Sequence, residues 1–185
     1  MNKQTGVAIA VIAAAVIAVG GWFWYAGTAK APTQAPGIAA DYKNGTYLID
    51  GQAVTLVGGR ASTPAAPGSA SQVVTQYFGN EATGDLNGDG TPDTAFILTQ
   101  SGGGSGIFYY VVAALKTAGG YQGTNAVLLG DRVAPQTTQI SGGEVVANYA
   151  ERKAGEPMTT QPSVGVSKYL RIVAGTLVEV AHPNQ

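Results

Sequence analysis

The stretch "IFYYVVAAL", residues 107–115, decides the fold because all nine of its residues are apolar or aromatic. A run this short and this apolar fits either a buried strand or a buried helix segment. Its Phe, Tyr and Val residues are strand formers, and glycine-containing segments flank it on both sides. We therefore predict a central β-strand that is buried on both faces.

The segments next to this run extend the same pattern. Residues 94–100, "TAFILTQ", predict a neighbouring strand, and "SGGGSG" at residues 101–106 predicts the turn between the two. Residues 61–70 are polar and rich in proline and predict a loop. For residues 72–78 a strand and a short helix both remain open. The other predicted strands are residues 46–49, 52–57, 126–129, 137–140, 144–149, 168–173 and 176–180.

Short turn dipeptides join several of these strands. Asp50-Gly51 predicts a two-residue hairpin turn that would pair Tyr47 with Val54. The same register would pair Leu48 with Ala53. Gly142-Gly143 and Ala174-Gly175 predict two further hairpins near the C-terminus. The resulting fold class is mainly β, an antiparallel sheet or sandwich of about 8–10 strands, preceded by one N-terminal transmembrane helix.

Composition narrows the function classes. Ten basic and eleven acidic residues give no electrostatic footprint for nucleic acid, and charged residues make up only 11% of the chain. Cysteine is absent, which excludes disulfides, thiolate metal sites and a cysteine nucleophile. A domain outside the cytoplasm without disulfides needs a large core or a metal for stability.

The N-terminal segment predicts membrane insertion. Residues 4–29 carry no charge. Four consecutive aromatics at positions 22–25 follow the apolar run and fit the membrane interface. As a helix, residues 6–27 would rise about 33 Å and cross a hydrocarbon core of about 30 Å. A cleavable signal peptide is the alternative, because small residues follow at positions 27–29. We favour an uncleaved anchor because the apolar segment is long for a signal peptide.

This interpretation divides the chain into three parts. Residues 1–27 form the transmembrane anchor, residues 28–40 an Ala/Pro tether, and residues 41–185 one extracytoplasmic β domain. Lys3 and the very short leader favour a cytoplasmic N-terminus. We therefore expect a single-pass protein of the bacterial inner membrane, with its C-terminal domain in the periplasm or outside the cell.

Residues 84–93, "GDLNGDGTPD", predict a calcium loop. Oxygen-bearing side chains stand at alternate positions 1, 3 and 5 of the motif, so a backbone wrapped around an ion would point each of them inward. Gly90 falls at position 6, where a sharp bend favours a residue without Cβ. The carboxylates would repel one another without a cation, and an Asp/Asn/Gly turn without an ion is the alternative. The predicted Ca²⁺ ligands are Asp85, Asn87, Asp89, the Thr91 carbonyl and Asp93.

The Asp-x-Asn-x-Asp-Gly-x-x-Asp pattern resembles the calcium loops of FG-GAP and VCBS-type repeats and, more loosely, those of dockerins and thrombospondin type 3 repeats. The resemblance covers about a dozen residues. At position 12 Phe96 replaces the bidentate Glu of an EF-hand, and a predicted strand follows, as it does after FG-GAP loops. The segments at residues 120–136 and 155–170 look like parts of bacterial envelope proteins of no known activity. This second resemblance implies an envelope location only.

A set of polar residues in the C-terminal half could carry out catalysis. Two carboxylates such as Asp131 and Glu151 could hydrolyse a glycan if they faced one cleft, but solvated ion pairs are the usual role of such residues. The set comprises Asp131, Arg132, Glu144, Asn148, Glu151, Arg152 and Lys153.

Histidine and tyrosine are two further residue types that could have a functional role. The only histidine, His182, lies near the C-terminus, where we expect a frayed tail, which removes Ser-His-Asp catalysis. Tyrosines could form a binding platform, although core packing is the default. They are Tyr109, Tyr110, Tyr121 and Tyr149.

The missing catalytic set favours a binding function over an enzyme. We expect a membrane-anchored binding or interaction module, stabilised by one structural Ca²⁺ and recognising an envelope protein or a glycan. A cell-envelope hydrolase or inhibitor-like protein is the first alternative. A structural envelope subunit that assembles through its edge strands is the second.

Overall fold

The computed structural model describes residues 37–182, which form a mainly β structure of thirteen strands and one short 3-10 helix, Tyr42–Asn44. The strands are β1 (Ile38–Ala39), β2 (Thr46–Ile49), β3 (Gln52–Thr55), β4 (Arg60–Pro64), β5 (Gln72–Gly84), β6 (Asp93–Ser101), β7 (Phe108–Thr117), β8 (Gly120–Gly123), β9 (Val127–Asp131), β10 (Ala134–Ser141), β11 (Glu144–Glu151), β12 (Val164–Val173) and β13 (Thr176–Glu179).

These strands form three antiparallel units. A seven-stranded sheet has the order β1-β8-β7-β6-β5-β4, with β9 also pairing with β7. A four-stranded sheet has the order β10-β11-β12-β13, and β2 and β3 form a separate hairpin. The prediction of a mainly antiparallel β fold is confirmed.

The predicted anchor, residues 1–27, and most of the predicted tether lie outside the described residues. Within residues 37–182 no helix is long and apolar enough to span a membrane.

Strands β6 and β7 lie at the centre and are covered on both faces. On one face Ile97 and Val111 pack in a core shared with Val145 and Leu170 of the four-stranded sheet. On the other face, Phe96 and the side chains at alternate positions of β6 and β7 form a second core with the β2–β3 hairpin. Fully burying one Val, Leu, Ile or Phe contributes about 1.5–3 kcal/mol, so these two strands dominate the stability. The predicted central strand buried on both faces is confirmed.

The β2–β3 hairpin has the predicted turn and register. Asp50 and Gly51 both have positive φ, at 50° and 76°, the combination that a type I′ turn requires. Tyr47 pairs with Val54, and Leu48 with Ala53, as the spacing predicted. Tyr47 is fully buried, which places this side of the hairpin on the second core.

Short strands lie where none was predicted, which brings the total above the expected 8–10. The first half of the predicted loop at residues 61–70 belongs to β4, the exposed edge strand that pairs with β5. The segment at residues 72–78, for which the sequence allows a strand or a short helix, is part of β5. β1 lies at the end of the predicted tether and pairs with the equally unpredicted β8. Strands of two to five residues are too short to show the alternation by which strands are recognised.

β5 carries two irregularities close to the candidate site. Its register against β6 shifts between Tyr77 and Gly79 and again between Gly79 and Ala82. Gly79 and Asn80 have positive φ, at 114° and 52°. Bulges of this kind bend a strand and redirect its side chains. Glu81, next in the chain, contacts Tyr42 of the 3-10 helix and Tyr77 of its own strand.

Candidate functional site

The loop between β5 and β6 is organised by its own aspartate at residue 85. Oδ1 of Asp85 accepts a hydrogen bond from the Gly88 N–H at 2.7 Å, and Oδ2 accepts one from the Gly90 N–H at 2.9 Å. Both glycines have φ of 80°, a backbone conformation that residues with a Cβ rarely adopt. The bend predicted at Gly90 is confirmed, and a second one occurs at Gly88.

Asn87 and Asp89 extend this network towards solvent. Oδ1 of Asn87 accepts from the Asp89 N–H at 3.0 Å, and the Asn87 amide donates to Oδ2 of Asp89 at 3.0 Å. Oδ1 of Asp89 accepts from the Thr91 N–H at 2.7 Å. These bonds, the Thr91 N–H first and Asn87 second, lower the pKa of Asp89. The loop thus favours an ionised Asp89.

Asp93 connects the loop to the central sheet. Its side chain is completely buried, yet Oδ2 accepts from the Leu86 N–H at 2.9 Å and Oδ1 from the Lys116 N–H at 2.7 Å. Burial raises the pKa of Asp93, the two N–H donors oppose that rise, and the negative charges of Asp89 and Asp85 add to it. A cation on the loop would relieve this repulsion.

The donor chemistry of the loop fits calcium. An ionised carboxylate offers about four lone-pair positions, and the two backbone bonds to Asp85 use about half of them. Carboxylate and amide oxygens are the ligands that Ca²⁺ prefers. Within residues 37–182, however, no group of three or more His, Cys, Asp or Glu side chains is arranged to hold a metal ion. Four of the five predicted ligands lie in the loop and Asp93 is the first residue of β6; their role as ligands stays a prediction.

The charged set of the C-terminal half divides into separate ion pairs. Asp131 pairs with Arg132 at 3.2 Å and accepts from the Ile107 N–H at 2.8 Å. Arg152 donates to the Arg132 carbonyl at 2.9 Å. Burial raises the pKa of Asp131, but the bonds from Arg132 and Ile107 outweigh it, so the pKa is lowered. An ionised, doubly engaged Asp131 does not suit a general acid.

Two further members of that set, Glu144 and Asn148, make contacts of their own. Glu144 and Glu151 occupy opposite ends of β11, about 24 Å apart at the rise of a strand, and Glu144 pairs with Arg171 at 3.1 Å. Asn148 bonds to Thr137 and Ser167 on the neighbouring strands. The structure therefore brings Asp131, Arg132 and Arg152 together and places Glu144 at the far end of β11 from Glu151.

A pocket that the sequence patterns did not predict adjoins the loop. Its volume is about 380 Å³, within the size range of small-molecule sites. Five separate segments supply the walls: the 3-10 helix, β5, the loop with the start of β6, β7 and β8. Its lining residues are Tyr42, Glu81, Thr83, Thr91, Pro92, Thr94, Lys116 and Tyr121. No linear motif could have indicated it, because these residues meet only through long-range strand pairing.

Glu81 is the centre of the polar contacts in this pocket. Its Oε1 accepts hydrogen bonds from the hydroxyls of Tyr42, at 2.6 Å, and Tyr77, and lies 3.5 Å from the Lys43 ammonium. Burial raises the pKa of Glu81, but the two tyrosine hydroxyls and Lys43 outweigh it and the pKa is lowered. Burial, followed by the contact with Glu81, raises the pKa of Tyr77 to about 12. Glu81 is therefore ionised and both hydroxyls stay protonated at neutral pH.

Lys116 and the two lining tyrosines form a second group of contacts in the pocket. The Lys116 ammonium lies 4.1 Å from the centre of the Tyr121 ring, a cation–π contact. The rings of Tyr42 and Tyr121 meet edge to face, with centres 5.4 Å apart. Among residues 37–182 Lys116 forms no salt bridge with a carboxylate. The pocket thus contains one ammonium without an acidic partner.

One expectation about single side chains is revised and another is confirmed in part. His182 is not a frayed end, because its ring stacks on Tyr169 with centres 4.2 Å apart. Of the four tyrosines considered as a platform, Tyr110 and Tyr149 are buried in the two cores, and only Tyr121 lines the pocket beside the loop. The core-packing interpretation is confirmed for Tyr110 and Tyr149.

Comparisons of the chain with protein-family models, with curated proteins and with solved structures found no match. The resemblance of residues 84–93 to FG-GAP and VCBS-type loops therefore stays a prediction from the motif. The function must be inferred from the loop and the pocket beside it.

Proposed function

We propose that the chain is an extracytoplasmic binding module stabilised by one structural Ca²⁺. Residues 1–27 anchor it in the bacterial inner membrane and residues 28–40 tether the β domain to that anchor. The observation that carries this proposal is the shared wall of the loop and the pocket, since Thr91 and Pro92 belong to both. An ion that rigidifies the loop rigidifies one side of the pocket.

A structural role for the ion follows from Asp93. Its carboxylate bonds to Leu86 in the loop and to Lys116 at the end of β7, so loop order and sheet order are coupled. A sensor requires a part that moves between two states, and this carboxylate is buried between paired strands. The ion acts as a clamp that keeps β6 in register.

Binding is favoured over hydrolysis by the positions of the carboxylates. Glu144 and Glu151 are far apart on β11, and Asp131 is engaged by Arg132 and Ile107. The pocket beside the loop holds one carboxylate, Glu81, whereas glycoside hydrolysis uses a pair.

Thermal unfolding of the full chain in detergent micelles, with Ca²⁺ or with chelator, tests the ion. Because Ca²⁺ would bind only the folded loop, a concentration of about 100 times Kd should stabilise it by about 2.7 kcal/mol and raise Tm. Asp89→Asn should abolish most of that increase. Asp50→Asn, in a turn outside the loop, is the matched control and should keep it. An unchanged Tm on chelation of the wild-type chain would refute the calcium role.

Sedimentation of the same micelle samples separates a binding module from a structural subunit. A monomer at micromolar concentration supports the module. Concentration-dependent growth of the particle would instead favour assembly through the exposed edge strand β4.

A further inference from the structure

The pocket beside the loop combines aromatic rings with hydroxyl groups and one charge of each sign. Tyr42 and Tyr121 are partly exposed in its wall, and Glu81 and Lys116 contribute the charges. Three threonines complete the lining. They are Thr83, Thr91 and Thr94.

The hydrogen-bonding capacity of Glu81 is only half used. Both tyrosine hydroxyls and the Lys43 ammonium contact Oε1. Within residues 37–182 no hydrogen bond reaches Oε2, and the carboxylate is held in place by the bonds to its other oxygen. Oε2 is therefore an oriented, ionised acceptor for a ligand hydroxyl.

Lys116 supplies the complementary donor. Its ammonium is positioned by the Tyr121 ring rather than by a carboxylate, so its three N–H groups are not committed to an ion pair in the described part of the chain. Its backbone N–H is fixed by Asp93. The pocket thus offers a strong donor and a strong acceptor on a positioned backbone.

We propose that this pocket binds one neutral sugar ring of a glycan. Hydroxyl groups of a sugar both donate and accept, which matches Glu81 Oε2 and the Lys116 ammonium together. The apolar C–H groups of the sugar suit the parts of the Tyr42 and Tyr121 rings that remain exposed in the pocket wall. This inference rests on the proposed binding function and names its ligand class.

Other ligand classes match the pocket less well. Glu81 would repel a phosphate or carboxylate and so offset the attraction that Lys116 has for it. A lipid chain would offer no polar partner to Oε2 of Glu81, to the Lys116 ammonium or to the threonine hydroxyls. A neutral, hydroxyl-rich ring leaves none of these groups unsatisfied.

NMR titration of the full ¹⁵N-labelled chain in micelles tests the proposal, with cellobiose and chitobiose as probes and glucuronic acid as the charged comparison. At least one neutral disaccharide should shift the amides of Thr83, Thr94 and Tyr121 saturably, with Kd of about 1 mM. Glucuronic acid should bind at least about tenfold more weakly. Tyr121→Ala and Glu81→Gln should each weaken binding at least about tenfold, and Tyr169→Ala, on the other sheet, should leave it unchanged.

The titrations are run with Ca²⁺ and with chelator, so that the two proposals fail separately. If a Ca²⁺-dependent rise in Tm is measured but neither disaccharide shifts the pocket amides, the sugar proposal is wrong and the calcium role stands. If a sugar shifts the pocket amides saturably but chelator leaves Tm unchanged, the sugar proposal stands and the calcium role is refuted. Shifts confined to other surfaces, or tighter binding of glucuronic acid, would also overturn the sugar proposal.

Discussion

The carboxylate of Asp93 accepts a hydrogen bond from the backbone N–H of Lys116 at 2.7 Å and is fully buried where it does so. Its other oxygen accepts from Leu86 in the loop. One side chain therefore joins the loop, the first residue of β6 and the end of β7. Lys116 lines the pocket, so this contact also positions a residue of the candidate ligand site.

Replacing Asp93 should destabilise the domain even without Ca²⁺. Asp93→Ala leaves the buried N–H groups of Leu86 and Lys116 without acceptors, and each such group costs about 1–3 kcal/mol. Urea unfolding in chelator should show a loss of about 2–5 kcal/mol. Asp89→Ala, at an exposed position, should lose clearly less stability than Asp93→Ala under the same conditions. Equal losses for the two variants would contradict the role assigned to Asp93.

Gly123 should not tolerate a side chain, because β8 crosses closely against the hairpin there. A Cβ at this position would overlap the Thr46 carbonyl and lie 2.8 Å from the Tyr47 ring. Gly123→Ala should therefore cost about 1–3 kcal/mol or more. At Gly165 a Cβ would meet open space, and the φ of Gly165 lies outside the left-handed region. Gly165→Ala should therefore change stability by less than about 0.5 kcal/mol. Denaturant midpoints compare the two; similar midpoints would contradict this packing.

Local chemistry made the hairpins and the centre of the sheet predictable. Asp50-Gly51 sets a turn that only positive φ permits, and turn length then fixes the pairing of Tyr47 with Val54. Residues 107–115 are apolar or aromatic throughout, which favours cover on both faces; residues 110–115 are buried, whereas Ile107 and Phe108 at the start of the run are exposed. The bends at the glycines of the loop follow from the same local constraints.

The pocket and the short edge strands could not be predicted in this way. β1 and β8 are defined by their partners, since Ile38 pairs with Gln122 without any local alternation. Tyr42 and Glu81 meet across 39 residues of sequence, and a register shift in β5 decides where Glu81 lies. Long-range pairing of this kind has no signal in a single sequence.

Phe96 should be the most costly aromatic residue to truncate. It is fully buried, and its ring lies 5.4 Å from Tyr42, 5.5 Å from Tyr47 and 5.5 Å from Tyr77. Phe96→Ala should cost about 3–5 kcal/mol and disturb Tyr42 in the pocket. Phe78→Ala, at a side chain that is 46% exposed, is the control and should cost less than about 1.5 kcal/mol. Calorimetry gives both values, and a smaller loss for Phe96→Ala than for the control would refute the two-core architecture.

The stability of the domain at acid pH should depend on Glu81. Its pKa is lowered in the folded state, through the hydroxyls of Tyr42 and Tyr77 and the Lys43 ammonium, which together outweigh burial. Its contribution is therefore present above the unfolded value of 4.5 and is lost as pH falls through the lower folded pKa. Urea unfolding from neutral pH down to about pH 3 should show a smaller acid loss in Glu81→Gln than in the wild type. Glu156→Gln is the control, because the Glu156 carboxylate accepts a hydrogen bond from the nearby Lys153 N–H and this variant should lose stability with falling pH as the wild type does. If Glu81→Gln also loses stability as the wild type does, the tyrosine contacts do not stabilise the ionised form.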